Sequence, residues 1–400
     1  MNRSRVRLQF GWYSLVLATT VGLGIGIEFS SLRAAERSPA IPLSQSTGNG
    51  LTQFASTLPV EIVAEVTQAP GNITVTPDGR IIISLHQFYQ TRDRVVEVKP
   101  DGSLVPFPDV SWAQGRKPDG TGLDTVLGIQ ADAEGVVWML DNGMRGGVTP
   151  QLVGWNTRTD VLEKVIPLPA PVTSSDSFLN DLAVDLTHGA VYIADTSSPE
   201  GRPALIVVDL ATGQARRVLV NHQSVLPEAV PLKIEGQIVK SLQPDGTTVE
   251  PKVAVNPIAL DATDEWLYYG PMHGTRLYRV RTEDLLNTRL SAEQLAQSVE
   301  DYAARPISDG ISTDAAGNIY ITDISANTIG VIQPDRSYRP LVSEAWMSWP
   351  DALSFGPDGY LYSVVNQLHR TPALNGGVDA TEPPFTIFRF RPLADGIVGR

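Results

Sequence analysis

Ile73-Thr-Val-Thr-Pro-Asp-Gly-Arg-Ile-Ile-Ile83 runs an alternating apolar strand into a Pro-Asp-Gly turn and out through a second apolar strand. Five further stretches repeat the pattern. They are Ile129-Gln-Ala-Asp-Ala-Glu-Gly-Val-Val-Trp138, Leu182-Ala-Val-Asp-Leu-Thr-His-Gly-Ala-Val-Tyr192, Ile258-Ala-Leu-Asp-Ala-Thr-Asp-Glu-Trp-Leu-Tyr268, Ile311-Ser-Thr-Asp-Ala-Ala-Gly-Asn-Ile-Tyr320 and Ala352-Leu-Ser-Phe-Gly-Pro-Asp-Gly-Tyr-Leu-Tyr362. Apolar residues at every second position argue a strand, and an Asp/Gly turn between two such runs argues a hairpin. A hairpin returning at intervals of roughly 40–75 residues marks a radial β array.

Around these hairpins lie the remaining strands of each unit. Val95–Val98, Gln151–Trp155, Ala204–Asp209, Arg276–Val280 and Thr328–Ile332 read as third strands, and Glu163–Ile166 and Ala215–Leu219 as fourth strands. Six units of four strands predict an all-β fold, a six-bladed β-propeller. Pro59–Val66 and Phe385–Arg391 also alternate, so strands from the two ends are expected to share one blade and close the ring. Closure removes the sheet edges that would otherwise pair between molecules. Residues 221–256 lengthen one interval, and residues 282–304 look helical, beginning at a Thr cap with acids in the first turn. Insertions of this kind sit on one face of a propeller and cover a pocket.

Three divisions follow. Residues 58–400 form the propeller. Residues 38–57, rich in Ser, Gly, Thr and Gln, read as a flexible linker. In residues 1–37, Arg3, Arg5 and Arg7 precede an uncharged apolar run from Phe10 to Ile27. This is a signal peptide or an uncleaved N-terminal anchor that tethers the protein to a membrane. Either reading predicts a secreted, periplasmic or extracellular protein. There is no Cys among the 400 residues, so neither a disulfide nor a thiolate site is available. The net charge is −13, and without residues 1–37 it falls to about −16. That balance argues against nucleic acid and suits cations or cationic small molecules. A monomer is expected.

Geometry selects the candidate site. Residues just before the first strand of each hairpin converge on the ring axis, and residues just after the second strand lie on the same face. The first group reads Gly71-Asn72, Leu127-Gly128, Asn180-Asp181, Asn256-Pro257, Asp309-Gly310 and Pro350-Asp351. The second includes His86, Asp141-Asn142, Asp195, His273, Asp323, Asn366 and His369. Carboxylates beside amides on an axial cavity suit a hard cation such as calcium, or the amine of a ligand. Asp78 and Asp358 read as turn residues, and Asp185, Asp261 and Asp314 as turn or cap residues. Trp138, Tyr192, Tyr268, Tyr320 and Tyr362 recur at one hairpin position, which predicts packing between blades. Trp346 and Trp349 fit either the mouth of the cavity or that packing.

Several blocks resemble a known family. Trp138-Met-Leu-Asp-Asn-Gly143 is followed by Phe178-Leu-Asn-Asp-Leu-Ala-Val-Asp185, Val191-Tyr-Ile-Ala-Asp195, Ala204-Leu-Ile-Val-Val-Asp-Leu210 and Arg217-Val218. The most specific is Leu267-Tyr-Tyr-Gly-Pro-Met-His-Gly-Thr-Arg-Leu-Tyr-Arg-Val-Arg-Thr-Glu-Asp-Leu285. In this order they resemble the major royal jelly/yellow family in its bacterial branch, over most of residues 60–390. The resemblance implies a secreted propeller with an axial ligand pocket. Some members of that family bind biogenic amines, and some are linked to dopachrome conversion. The fold is also similar to the gluconolactonase and paraoxonase propellers, which hold a divalent cation by Glu, Asn and Asp. Asn180, Asn256 and Asp309 fall at similar places, while the first-blade Glu is replaced by Pro70-Gly71-Asn72.

Three readings result. The first is a small-molecule-binding propeller with Asn180, Asp181, Asp351, Asn72 and His86 as ligand contacts. It carries a tautomerase-like variant with His273 and Asp309 as the acid–base pair and no cofactor. The second is a lactonase-like hydrolase with calcium on Asn180, Asn256 and Asp309, and a carboxylate or His273 as base. The third is an interaction scaffold whose insertion at residues 221–256 binds another protein.

Overall fold

The computed structural model describes residues 58–243 and 245–400. The expected signal or anchor at 1–37 and the expected linker at 38–57 lie outside the described residues. Six four-stranded antiparallel sheets are arranged as the blades of a β-propeller. Their innermost strands are Pro70–Val75, Val126–Ala131, Leu179–Asp185, Val255–Leu260, Ser308–Thr313 and Pro350–Phe355, in blades 1 to 6. Each of the first five blades runs outward in chain order. Blade 6 takes its outermost strand from the other end of the chain: Val60–Val66 pairs antiparallel with Phe385–Phe390, from Val60 opposite Phe390 to Val66 opposite Phe385.

The recurring aromatics do pack between blades. Trp138 is buried between blades 2 and 3, Tyr192 between 3 and 4, Tyr268 between 4 and 5, Tyr320 between 5 and 6, and Tyr362 between 6 and 1. The turn-proximal aspartates carry a second duty that alternation alone does not reveal. Asp132 accepts from the Trp138 indole N–H at 2.8 Å, and Asp185 from the Tyr192 hydroxyl at 3.0 Å. Asp314 and Asp358 accept from Tyr320 and Tyr362, each at 2.8 Å. One carboxylate thus closes the hairpin turn and satisfies the polar tip of the aromatic that fills the gap between blades. A buried hydroxyl or indole N–H left unpaired there would cost about 1–3 kcal/mol.

Two expectations need correction. The segment 282–304 is not helical throughout: Thr282–Leu286 and Ala292–Gln297 are short helices, and Glu300–Ala304 is the fourth strand of blade 4. Leu285 and Leu295 press these helices onto the core between blades 3 and 4. Thr282 is the first helical residue rather than the cap. Its hydroxyl donates to the Asp264 carbonyl at 2.6 Å, while the second helix is capped by a reciprocal Ser291–Gln294 box.

On the face opposite the strand starts, residues beyond Phe390 cross to the axis. Gly399 N–H donates to the Phe355 carbonyl at 2.9 Å, and Arg400 pairs with Asp264 at 2.6 Å. The insertion in blade 3 forms two small hairpins, Lys233–Ile234 with Gln237–Ile238 and Ser241–Leu242 with Thr248–Val249. They lie over the face where the inner strands begin. Among the described residues, no helix is long and apolar enough to cross a membrane.

Candidate functional site

Every inner strand breaks register with its neighbour near its start. The shifts fall between Pro70 and Asn72, Val126 and Ile129, Leu179 and Leu182, Val255 and Ile258, Ser308 and Ile311, and Pro350 and Leu353. The sequence places these residues before the strands, whereas they are β-bulges inside them. A bulge leaves residues without partners in the ladder and re-aims their side chains. Four of the six bulges, in blades 3 to 6, deliver Asn180, Asp181, Asn256, Asp309 and Asp351 to a common cavity. The backbone left over is satisfied locally: Asp309 and Gly310 N–H groups donate to Thr322 Oγ1 at 3.3 and 2.8 Å.

The cavity has a volume of about 130 Å³. Asn72, His86, Asn180, Asp181, Asn256, His273, Asp309 and Asp351 all line it, so the structure brings every predicted site residue to one place. Its apolar wall includes Phe88, Leu127, Phe178, Met272 and Trp349. Leu232, Ser241 and Val253 of the insertion cover it. No Lys or Arg side chain lines it among the described residues. A narrower space of about 40 Å³ continues down the axis to Gly399 and Arg400.

Three carboxylates therefore share an enclosed space without a cationic partner. Asp181 accepts from Asn72 Nδ2 at 3.3 Å and from Leu182 N–H at 2.9 Å. Asp309 accepts from Asn256 Nδ2 and from the Trp349 indole N–H, the latter at 2.7 Å. Asp351 accepts from Asn366 Nδ2 at 2.6 Å. Loss of hydration raises all three acids, and their mutual repulsion adds to the rise in Asp181 and Asp351. Asp181 is pushed up to about 7 and Asp309 to about 6, the latter despite its two donors; Asp351 stands well above the usual carboxylate range.

The two cavity histidines are held neutral by burial, His86 near 3 and His273 near 4. His86 Nδ1 accepts from Phe88 N–H at 3.2 Å, and His273 Nδ1 accepts from Val253 N–H at 3.0 Å. Those bonds put the proton on Nε2 of each ring. His273 Nε2 is buried without a partner, as is Asn256 Oδ1. Both therefore offer an unused polar atom beside the carboxylates. As held, His273 is a donor, and a base role requires the Val253 bond to break first.

The remaining post-strand residues do other work. Asp141 is fully buried against Arg116 and the Thr125 and Asp124 N–H groups, and Asp195 against Arg217 at 2.5 Å and the Phe178 N–H. They stitch loops together away from the axis. His369 lies behind Trp349, its ring stacked on the indole at 5.9 Å and 10°. Sequence reasoning left Trp349 undecided between mouth and packing; it lines the cavity and holds Asp309.

A pH dependence follows from the raised acids. Each is protonated in the native state at pH values where the unfolded chain, with an ordinary carboxyl at 3.8, has already ionised. For these acids the native state then binds more protons, and their contribution to stability falls as pH rises. His86 and His273, neutral in the native state but protonated up to about 6.5 once unfolded, push the other way over much of the same range, so the acids are read by difference. Asp309→Asn removes one acid and leaves the histidines: relative to that variant, the ligand-free wild type should lose stability as pH rises from about 4 to about 6, seen as a widening gap between the two melting temperatures. A constant gap would contradict an uncompensated acid at this position.

The family model for Major royal jelly protein matches residues 124–389. Among curated proteins, Major royal jelly protein 3 of Apis mellifera is 27% identical over 195 residues, which is 46% of this chain and 33% of that protein. Major royal jelly protein 1 of the same organism is 27% identical over 194 residues, 45% of this chain and 41% of that protein. The matched region thus spans less than half the length of these relatives. Among solved structures, a gluconolactonase from Xanthomonas campestris superposes with a TM-score of 0.53 at 11% identity, covering 88% of this chain and 97% of that one. A luciferin-regenerating enzyme gives 0.52 at 13%, covering 86% and 98%. At these identities the structural likeness establishes the propeller fold alone.

Proposed function

The chain belongs to the major royal jelly protein family, and we propose that it captures a small aromatic amine in the axial cavity, ammonium end towards Asp181, Asp309 and Asp351. One observation carries this reading: three enclosed carboxylates face one space that, among the described residues, no Lys or Arg lines. A bound ammonium supplies the missing charge and lets the acids ionise. Phe88, Phe178, Met272 and Trp349 offer the apolar and aromatic surface that the rest of such a ligand needs. The Nε2–H groups of His86 and His273 add two neutral donors. An acid titrating near 6, such as Asp309, is also suited to move a proton within a bound ligand, which is what a dopachrome-type tautomerisation requires. An exported protein, from the periplasm outward, fits the N-terminal sequence.

The orphaned Asn256 Oδ1 favours a second reading. Carboxylate and amide oxygens are the donors calcium prefers, so Asn180, Asn256 and Asp309 have the right chemistry to hold it. Bound there, calcium would supply Lewis-acid polarisation of an ester carbonyl, as a lactonase needs. Among the described residues, no group of three or more His, Asp or Glu side chains is gathered as a metal cluster.

Titration calorimetry on the full chain separates the readings. Phenethylamine should bind with a dissociation constant on the order of micromolar, and 2-phenylethanol, which lacks the charge, should bind at least about a hundredfold more weakly. Equal affinities would remove the carboxylates from the account. Heat with calcium chloride but not with the amine would put the metal reading first.

A further inference from the structure

Above the cavity, the insertion hairpin turns at Glu235-Gly236, both with positive φ (50° and 83°), the conformation of a tight two-residue turn. The turn holds a carboxylate out over the propeller. Glu235 Oε2 meets Arg370 Nη2 at 2.8 Å and His369 Nε2 at 3.2 Å. Both partners sit on one short helix, Leu368–Arg370. The His369 ring lies flat on Trp349, and Trp349 donates to Asp309. Trp349 is itself in the left-handed region at φ 62°, with 1% of its surface exposed. A large side chain in that conformation is strained and persists only where its surroundings hold it. What holds it is the stack from one side and the carboxylate from the other.

We propose that the hairpin Lys233–Ile238 is a gate over the cavity, that Glu235 is its latch, and that His369 and Trp349 join the latch to Asp309. The proposal rests on the cavity being the ligand site. Trp349 is then a positioning residue: it sets where the Asp309 carboxylate points. When Glu235 withdraws, Arg370 keeps its ion pair with Glu382 at 2.9 Å, but the His369 ring loses the carboxylate that holds its Nε2, the stack loosens, and the indole can leave Asp309. Coupling of this kind is reciprocal. A cation held at Asp309 steadies the carboxylate, the indole and the ring behind it, and so favours the closed hairpin. The apolar inner side of the gate fits the same role. Leu232, Ile234 and Val239 are buried with Met272, Trp349 and Leu368 in one cluster. The closed position is a packed state, which a gate needs if it is to have two defined positions rather than a continuum.

The test uses the Trp349 indole N–H, which can be watched without any ligand. The protein has seven Trp residues, so ¹⁵N-Trp labelling gives seven indole signals. Trp349 is identified by the signal lost in Trp349→Phe. In the ligand-free protein, Glu235→Gln should speed solvent exchange of the Trp349 indole N–H by about tenfold. Arg370→Gln should do the same, and serves if the first variant folds poorly. The Trp138 indole N–H, bonded to Asp132 far from the gate, should not change. Unchanged exchange at Trp349 in both variants, with faster exchange of the hairpin amides, would overturn the coupling: the gate would then move independently of Asp309. Phenethylamine added to wild type should slow exchange at Trp349 and in the hairpin together. Failure of the amine to bind at all would count against the proposed ligand, while the ligand-free result would still decide the latch.

Discussion

Asp309→Asn should raise the dissociation constant for phenethylamine by at least about a hundredfold, a loss of roughly 3 kcal/mol, at pH 7.5. The size follows from what an enclosed ammonium requires. Stripped of water, it needs a full opposite charge at contact distance, and a neutral amide oxygen repays only part of that. The substitution is gentle in other respects. The side chain keeps its shape; its oxygen can still accept from the Trp349 indole, and a turned-over Asn256 amide can offer its unused Oδ1 to the new NH2, while the melting temperature measured beside the affinity separates lost binding from lost folding. The ligand-free variant should be the more stable protein at neutral pH, because one uncompensated buried acid is gone and the repulsion on Asp351 falls with it. Weaker binding with a higher melting temperature is what a site that stores electrostatic strain predicts. Affinity in wild type should rise with pH through about 6 to 7, as Asp309 and Asp181 ionise, and binding below that range should release protons. Calorimetry in buffers of different ionisation heat reads that release directly. Asp185→Asn is the control. That carboxylate serves the Tyr192 hydroxyl and the His188 N–H at the opposite end of its strand, and should leave amine affinity unchanged.

Much of this was legible in the chain because a propeller repeats itself. Period-two alternation reports which face of a strand is buried, and six copies of one hairpin leave little freedom in how they assemble. The closing strand was legible for the same reason, since Val60–Val66 alternates without a hairpin partner of its own. The site was legible only in part. Alternation fails at a bulge, so Asp309 and Asp351 read as preceding their strands, whereas both lie within them and line the cavity. The aspartate after the first strand and the aromatic in the second read as two separate signals, a turn and a packing residue. Their hydrogen bond becomes visible only when the hairpin is built. The helical reading of residues 282–304 failed at its end because Glu300–Ala304 alternates too briefly to outweigh the helical run before it. The latch could not be read at all. Glu235 and His369 are 134 residues apart, each ordinary in its local sequence, and only ring closure brings them together.

Gly310→Ala tests the architecture that makes the site. Gly310 follows Asp309 in the bulge of blade 5, and a methyl group placed there would lie 2.1 Å from the Asp351 carbonyl oxygen and 3.1 Å from the Ala352 Cα. Both are backbone atoms of the next inner strand, so no side-chain rotation relieves the contact. The two strands must part by more than an ångström, in a ring whose six blades already fill their gaps. We expect a loss of about 3 kcal/mol or more, measured by urea denaturation. Binding should fall as well, because the strand that is pushed away carries Asp351 and the one that pushes carries Asp309. Gly189→Ala separates this steric effect from glycine's conformational freedom. Gly189 has φ 63° with nothing within 4 Å of the added methyl, so its cost is the left-handed backbone alone, about 1 kcal/mol, with no change in amine affinity. If Gly310→Ala is as mild as Gly189→Ala and still binds phenethylamine, then blades 5 and 6 do not meet at the axis as closely as described.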